Sequence, residues 1–82
     1  MTTGPYETEH EAVSASLYVQ RGLLGTGRDM TGANLDDLTG ACSAAGVQIG
    51  AYDLRILCWL ANYEPQTCAV VAGLITRAHT GP

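Results

Sequence analysis

The feature that most constrains this sequence is an apolar run of eight residues, 68–75, near the end of an 82-residue chain. Pro65 precedes the run and Arg77 follows it. This order is typical of one helix, because proline fits the first turn and a basic side chain suits the negative C-terminal end. A helix that is apolar on nearly all sides is buried on most of them. Either the rest of this chain or a second chain therefore has to cover it.

Three further helices are predicted upstream, each bounded by residues that start or stop helices. The first has an acidic first turn, the second has Asn34 as N-cap and Gly46 as its stop, and the third ends before Pro65. The predicted helical ranges are 7–24, 35–45, 52–62 and 65–79. We expect residues 1–6 to be a disordered N-terminus and 7–82 to form a single helical domain. The predicted fold is all-α, a small bundle of about four helices with a helix-turn-helix-like C-terminal pair.

Charge is distributed unevenly along the chain. The net charge of −4 comes from the first 40 residues, which carry six acidic and two basic side chains. Residues 41–82 carry only Asp53, Arg55, Glu64 and Arg77. Such a region has few groups to solvate a surface, and large exposed apolar patches usually mark interfaces. We therefore expect the second half to contact a protein partner, with a homo-oligomer as the first candidate.

The interface residues predicted on the last two helices are Trp59, Tyr63, Ala69, Val70, Gly73 and Leu74. Ala69 and Gly73 are small and four residues apart, so another helix could approach closely there. That helix could belong to a second subunit or to the same chain. Trp59 and Tyr63 belong to the types enriched in binding hot spots, but both could instead be core residues packed against the last helix.

DNA binding is the alternative function. The spacing of the last two helices resembles a helix-turn-helix, in which Gln66, Thr67 and Arg77 would face the nucleic acid. Two observations oppose it: the residues after Thr67 are mostly small and apolar, and four arginines in a chain of net charge −4 make a poor phosphate-binding surface. We therefore expect nucleic acid not to be the partner.

No residue pattern supports catalysis, a metal or a cofactor. The three cysteines contain no C-x-x-C spacing, and neither His10 nor His79 has a ligand at local spacing. Ser43 does not lie in a nucleophile-elbow motif. The N-terminus is acidic, unlike a signal peptide, and eight apolar residues fall short of the about 20 that span a bilayer. We expect a cytoplasmic protein with no membrane contact.

The C-terminal half carries a recognisable series of short motifs. Residues 52–61 contain Trp-Leu-Ala, Glu64-Pro65 follows, and residues 70–78 contain Val-Ala-Gly. This pattern resembles short, uncharacterised actinobacterial helical proteins over roughly residues 46–79. The chain has no lysine or phenylalanine, as a GC-rich bacterial genome would favour. The resemblance implies a helical bacterial protein and carries no activity, ligand or catalytic residue with it.

The sequence thus predicts a small, non-enzymatic regulatory or protein–protein interaction protein. It would act through an apolar helical surface and self-associate. A dimeric helix-turn-helix DNA-binding regulator is the alternative.

Overall fold

The structure is a computed structural model that describes residues 3–80, and every regular element in that range is helical. The helices are α1 (Glu9–Ala15), α2 (Leu17–Gln20), α3 (Met30–Ala44), α4 (Ala51–Leu60) and α5 (Pro65–Thr80). The all-α prediction is confirmed, with five helices where about four were predicted. Within residues 3–80, no helix combines the length and apolarity needed to cross a bilayer.

The single first helix predicted over residues 7–24 is wrong, because Ser16 divides it. Ser16 has an extended backbone (φ −66°, ψ 148°) and ends α1. Its hydroxyl donates to the Val13 carbonyl at 2.6 Å and accepts from the Val19 N–H at 3.4 Å. Serine competes in this way with the helix backbone and is a favoured N-cap. One side chain therefore closes α1 and opens α2.

The predicted start of the second helix is also wrong: α3 begins at Met30, and Asn34 lies inside it rather than at its N-cap. Asn34 is fully buried. Its side-chain amide donates to the Ala61 carbonyl at 3.0 Å and the Tyr63 carbonyl at 2.9 Å. Because the amide finds partners across the fold, it does not compete with the backbone of α3, and the helix continues through it.

Small residues dominate the interior. Apart from Leu38 and Tyr18, the buried apolar residues are alanines and cysteines: Ala12, Ala15, Ala33, Ala41, Ala61, Ala69, Ala72, Cys42 and Cys68. Small side chains let α3 and α5 approach closely, and these two helices make the most extensive helix–helix contact in the fold. Few large apolar side chains are fully buried, and eight of those in the described residues are exposed: Leu24, Val47, Tyr52, Leu54, Ile56, Trp59, Tyr63 and Leu74.

The last helix, predicted over residues 65–79, is confirmed as α5 and is covered mainly by its own chain. It packs against α3 and α1. The segment before α1 also lies on it, so close that a Cβ at Gly73 would collide with the Thr3 carbonyl oxygen and meet the Tyr6 ring. Of the predicted N-terminal range 1–6, residues 1 and 2 lie outside the described residues, and residues 3–6 form this segment.

The molecule is thin, with principal extents of 33 × 30 × 16 Å. Its accessible surface is 5106 Å², whereas a folded monomer of 8.6 kDa is expected to expose about 4,700 Å². The helix that contributes most visibly to this excess is α4, which has no buried residue and packs mainly against α3.

Candidate interaction surface

An aromatic and aliphatic stripe runs along the side of α4 that faces away from the core. Its members recur at helical spacing, which places them on one side of the helix, and we call them the outward face of α4. Their exposed fractions are 70% for Tyr52, 44% for Ile56, 58% for Trp59 and 47% for Tyr63. Tyr63 lies just beyond the helix end, where its ring contacts that of Trp59 edge-to-face at 5.1 Å between centroids.

A neighbouring side of α4, about a quarter turn from the outward face, attaches the helix to the core. Leu57 and Leu60 are partly buried and pack against the cluster of Leu38, Ala61 and Cys68. With these two leucines packed inward, the outward face is left exposed in the single chain. The outward face is therefore exposed on an ordered helix that is packed against the core through Leu57 and Leu60.

A shallow groove of about 380 Å³ lies beside the N-terminal half of α4. It is lined by Cys42, Val47, Gln48, Ile49, Tyr52, Asp53, Ile56 and Leu57. Its volume is at the lower end of the roughly 300–1,000 Å³ of ligand pockets, and most of its lining is apolar. Tyr52 and Ile56 belong to both the groove and the outward face, so the two form one continuous surface.

Two polar contacts fix the ends of α4. At the N-terminal end, the Asp53 carboxylate accepts from the Gly50 N–H at 3.0 Å, which satisfies one of the free amide groups of the first turn. At the C-terminal end, the buried Asn34 amide binds the carbonyls of Ala61 and Tyr63. From the buried interior, Asn34 therefore fixes the backbone that follows α4, including that of Tyr63, a member of the outward face.

The structure separates the six predicted interface residues into two groups. Trp59, Tyr63 and Leu74 are exposed, so the alternative in which Trp59 and Tyr63 are core residues does not apply to the single chain. Val70 is half-buried, and Ala69 and Gly73 are buried within the chain. The close helix approach expected at Ala69 and Gly73 is occupied here by the chain itself, including the segment that carries Thr3.

The three residues of the DNA-binding alternative do not form a basic surface. The Gln66 amide contacts the carboxylates of Glu64 and Glu9, so acidic groups surround the start of α5. Thr67 is exposed beside them. The Arg77 Nε donates to the Gly73 carbonyl at 3.2 Å, and its guanidinium lies against Gly4, about three turns from the start of α5. This arrangement is unfavourable for phosphate.

The titratable side chains that could carry chemistry are scattered. Within residues 3–80, no three histidine, cysteine or acidic residues lie close enough together to hold a metal ion. Cys58 is exposed on α4, whereas Cys42 and Cys68 are buried. Burial, and secondarily the charge of Asp37, raises the pKa of the Cys68 thiol to about 11. Such a thiol is protonated at neutral pH and is a poor nucleophile.

A second groove, of about 340 Å³, lies between the N-terminal segment, α3 and α5. Asp37 is its half-buried acid. Burial raises the pKa of the Asp37 carboxyl above its ordinary 3.8, although the Leu17 N–H and Arg21 partly oppose this. Its Oδ2 accepts from the Leu17 N–H at 3.1 Å. The carboxylate thus helps to cap α2, which is a structural task.

The members of the surface that sequence reasoning missed are Tyr52 and Ile56. Their spacing with Trp59 and Tyr63 is helical, but a helix face of large apolar residues predicts burial rather than exposure. The groove beside them was also missed, because it depends on how residues 47–49 lie against α4 in the fold.

Comparisons with known proteins give no match: no protein family, no curated protein and no solved structure is significantly similar to this chain.

Proposed function

We propose that this protein is a small, non-enzymatic protein–protein interaction protein that pairs with a second copy of itself through the outward face of α4. The observation that carries the proposal is the exposure of Tyr52, Ile56 and Trp59 on one side of α4, together with that of Tyr63 just beyond its end. Aromatic residues are enriched at the centres of interfaces, where they bury large areas at little cost in side-chain entropy.

The choice of residues inside and outside supports a partner. The core is built mainly from small residues, while eight large apolar side chains, four of them on the outward face of α4, are exposed to water. Burying such a side chain stabilises a protein by about 1.5–3 kcal/mol relative to leaving it exposed. A single chain does not gain this contribution for the outward face of α4, whereas a complex that covers the face does.

Charge favours a second copy as the partner. All four net negative charges arise in residues 1–40, while residues 41–82 carry two acidic and two basic side chains. Pairing through α4 brings two neutral regions together and leaves the acidic regions at a distance. Pairing through the N-terminal half would instead bring like charges together, which is unfavourable for self-association.

The size of the surface is also compatible with a pair. A standard interface buries about 800 Å² on each partner, which is about one sixth of the 5106 Å² that this chain exposes. The outward face of α4 and its groove extend along the whole helix, about 15 Å, before the flanking residues 47–49 and 61–63 are added.

Sedimentation equilibrium across micromolar concentrations tests the proposal. We expect the wild-type protein to move from single chains to pairs as the concentration rises. Trp59 is the sole tryptophan, so its fluorescence should shift to shorter wavelength over the same range as the indole leaves water. Ile56→Asp should abolish both changes, because pairing would bury an uncompensated charge.

Leu24→Asp is the matched control, since Leu24 is 63% exposed and lies outside α4; it should pair like the wild type. Leu74→Asp asks whether the exposed side of α5 takes part, as the sequence predicts for Leu74. A wild-type protein that remains a single chain throughout, with Trp59 emission independent of concentration, would refute the proposal.

A further inference from the structure

A third groove, of about 490 Å³, lies between the start of α1 and the first turns of α5. Its floor is apolar, since Ala12 is buried and Val70 and Val71 are half-buried. Its sides are exposed and carry two acids, Glu7 and Glu9. The volume lies within the roughly 300–1,000 Å³ of ligand pockets. None of the lining residues belongs to α4, so an occupant of this groove leaves the outward face of α4 free.

One neutral side chain holds two carboxylates together at the edge of this groove. The Gln66 amide nitrogen of α5 donates to Glu9 Oε1 of α1 at 3.3 Å and also contacts Glu64 Oε2. Two carboxylates that share a neutral donor still repel each other, because nothing compensates their charges. A guanidinium between them supplies a positive charge and a planar set of five N–H donors that matches carboxylate oxygens. We call Glu7, Glu9 and Glu64 the groove acids.

Within residues 3–80, the chain supplies no cation to the groove acids. It has no lysine, and the only salt bridge in this range joins Arg21 to Asp36. Arg77 is bound to the backbone of its own helix. The other two arginines lie in the loop before α3 and on α4. A positive charge that pairs with the groove acids therefore has to come from another molecule.

We infer that this groove binds a basic segment of another protein in which an arginine lies close to an aliphatic side chain. The guanidinium lies between Glu9 and Glu64, and the aliphatic side chain covers Val70 and Val71. Charge selects this occupant, because complementary potentials attract the right partner and like charges exclude the wrong one. The groove acids therefore disfavour phosphate and the acidic N-terminal half of a second copy. The inference goes beyond the proposed function, because it concerns a different surface.

Titration of the isotope-labelled protein with short synthetic peptides, followed by NMR, tests the inference. Each peptide of the panel carries arginine and one leucine, which is placed one, two, three or four positions from an arginine. In one comparison peptide citrulline replaces arginine, because citrulline is neutral and has nearly the same shape. In the other comparison peptide serine replaces the leucine.

At least one leucine spacing is expected to bind and to shift the side-chain amide resonances of Gln66. Citrulline should weaken this binding about fivefold, as the loss of an exposed ion pair does. Serine should weaken it about threefold or more, because the apolar contact is lost. Added salt should also weaken it, since salt screens exposed charges.

Glu9→Gln and Glu11→Gln are the matched variants. Both remove one negative charge from the first turn of α1, but only Glu9 lines the groove. The Glu11 carboxylate instead accepts from the Thr8 hydroxyl at 3.4 Å. We expect Glu9→Gln to weaken peptide binding about fivefold, Glu64→Gln to do the same, and Glu11→Gln to weaken it less than about twofold. Circular dichroism of each variant checks that the helices are retained.

Val70→Thr tests the floor of the groove. Threonine keeps the branched shape of valine but places a hydroxyl where the aliphatic side chain of the peptide lies. The leucine peptide should lose most of its advantage over the serine version, while the effect of citrulline stays the same. An unchanged advantage of leucine would show that the leucine lies elsewhere and would overturn the inference.

Three further outcomes would overturn the inference. The first is a panel in which no peptide binds, or in which the citrulline versions bind equally well. The second is an equal loss from Glu9→Gln and Glu11→Gln, which would show attraction to the acidic region as a whole. The third is loss of self-association in Glu9→Gln, which would place a second copy in the groove. Ile56→Asp should bind the peptides like the wild type, so failure of pairing through α4 leaves this inference intact.

Discussion

The helices α4 and α5 are both rich in apolar residues, yet the fold treats them in opposite ways. α5 contributes four buried small residues, Cys68, Ala69, Ala72 and Gly73, to the centre of the molecule. α4 contributes none, although it carries an isoleucine, a tryptophan and several leucines. In this chain α5 packs its small side chains against its neighbours, whereas α4 leaves large side chains exposed to solvent.

The difference teaches that apolar content alone does not decide which helix needs a partner. Small side chains let α5 lie close to α3 and to the N-terminal segment, so a thin bundle is enough to cover it. Large side chains occupy more volume than 82 residues can easily surround, because small domains bury a smaller share of their surface. We expect the partner to cover α4 rather than α5.

The largest expected effect comes from placing a carboxylate on the buried side of α5, which the same change on the exposed side of α4 then tests by comparison. Ala72→Asp puts a carboxylate at a site that is 6% exposed and lines the same groove as Asp37. We expect it to lower the free energy of unfolding by about 3–5 kcal/mol, because a buried charge without a partner is costly. A chain of this size has only about 4–12 kcal/mol in total. Urea unfolding followed by circular dichroism measures the loss.

Ile56→Asp on α4 is the comparison for Ala72→Asp. At concentrations where the wild-type protein is a single chain, it should change the free energy of unfolding by at most about 0.5 kcal/mol. At higher concentrations the wild type should gain stability over this variant, since self-association stabilises the folded state by mass action. Equal losses from the two substitutions at low concentration would remove the contrast between the helices.

An intermediate effect is expected at the residue that ties α4 to the bundle. Asn34→Ala removes two hydrogen bonds and leaves the carbonyls of Ala61 and Tyr63 without their donor. We expect a loss of about 2–4 kcal/mol in the free energy of unfolding.

Asn62→Ala is the matched control for Asn34→Ala. Asn62 is exposed and its amide donates to the Cys58 carbonyl at 3.3 Å, so its loss should cost at most about 0.5 kcal/mol. If both asparagine variants unfold at the same urea concentration, Asn34 does not hold the end of α4 as its contacts indicate.

The helical class and the two C-terminal helices could be predicted from the sequence, because their signals are local. Pro65 opens α5, and the charge-poor segment from Tyr52 onward has a clear helical period. The division at Ser16 could not be predicted, since serine also occurs inside helices, and only its extended backbone and the hydrogen bond that its hydroxyl accepts from the Val19 N–H distinguish the two cases. Local propensity does not include such a contact.

The candidate surface was only partly predictable for a related reason. Trp59 and Tyr63 were identified by residue type, and exposure supports their place on the surface. Asparagine is common at helix N-caps, so the sequence places Asn34 there. Its observed role is to donate hydrogen bonds to the carbonyls of Ala61 and Tyr63, which lie 27 and 29 positions later in the chain. Ala69 and Gly73 allow a close approach, but which segment approaches is a property of the whole fold.

The smallest expected effect concerns Asp37, an acidic residue of α3 that is half-buried in the groove it shares with α5. The folded-state pKa of Asp37 lies above its ordinary 3.8, mainly because burial disfavours the charged form. The stability that the neutral carboxyl contributes is present below the unfolded pKa and is lost as the pH rises through the folded pKa. Asp37→Asn stays neutral and retains an oxygen for the Leu17 N–H. The free energy of unfolding of the variant, relative to that of the wild type, should therefore rise as the pH increases through 3.8 and level off at neutral pH. Urea unfolding across pH measures this difference.

Because the Leu17 N–H and Arg21 oppose the effect of burial, the gain should be smaller than the change caused by Asn34→Ala. A difference that is constant with pH would mean that burial does not perturb Asp37, and one that shrinks as the pH rises would mean that the Leu17 N–H and Arg21 outweigh burial.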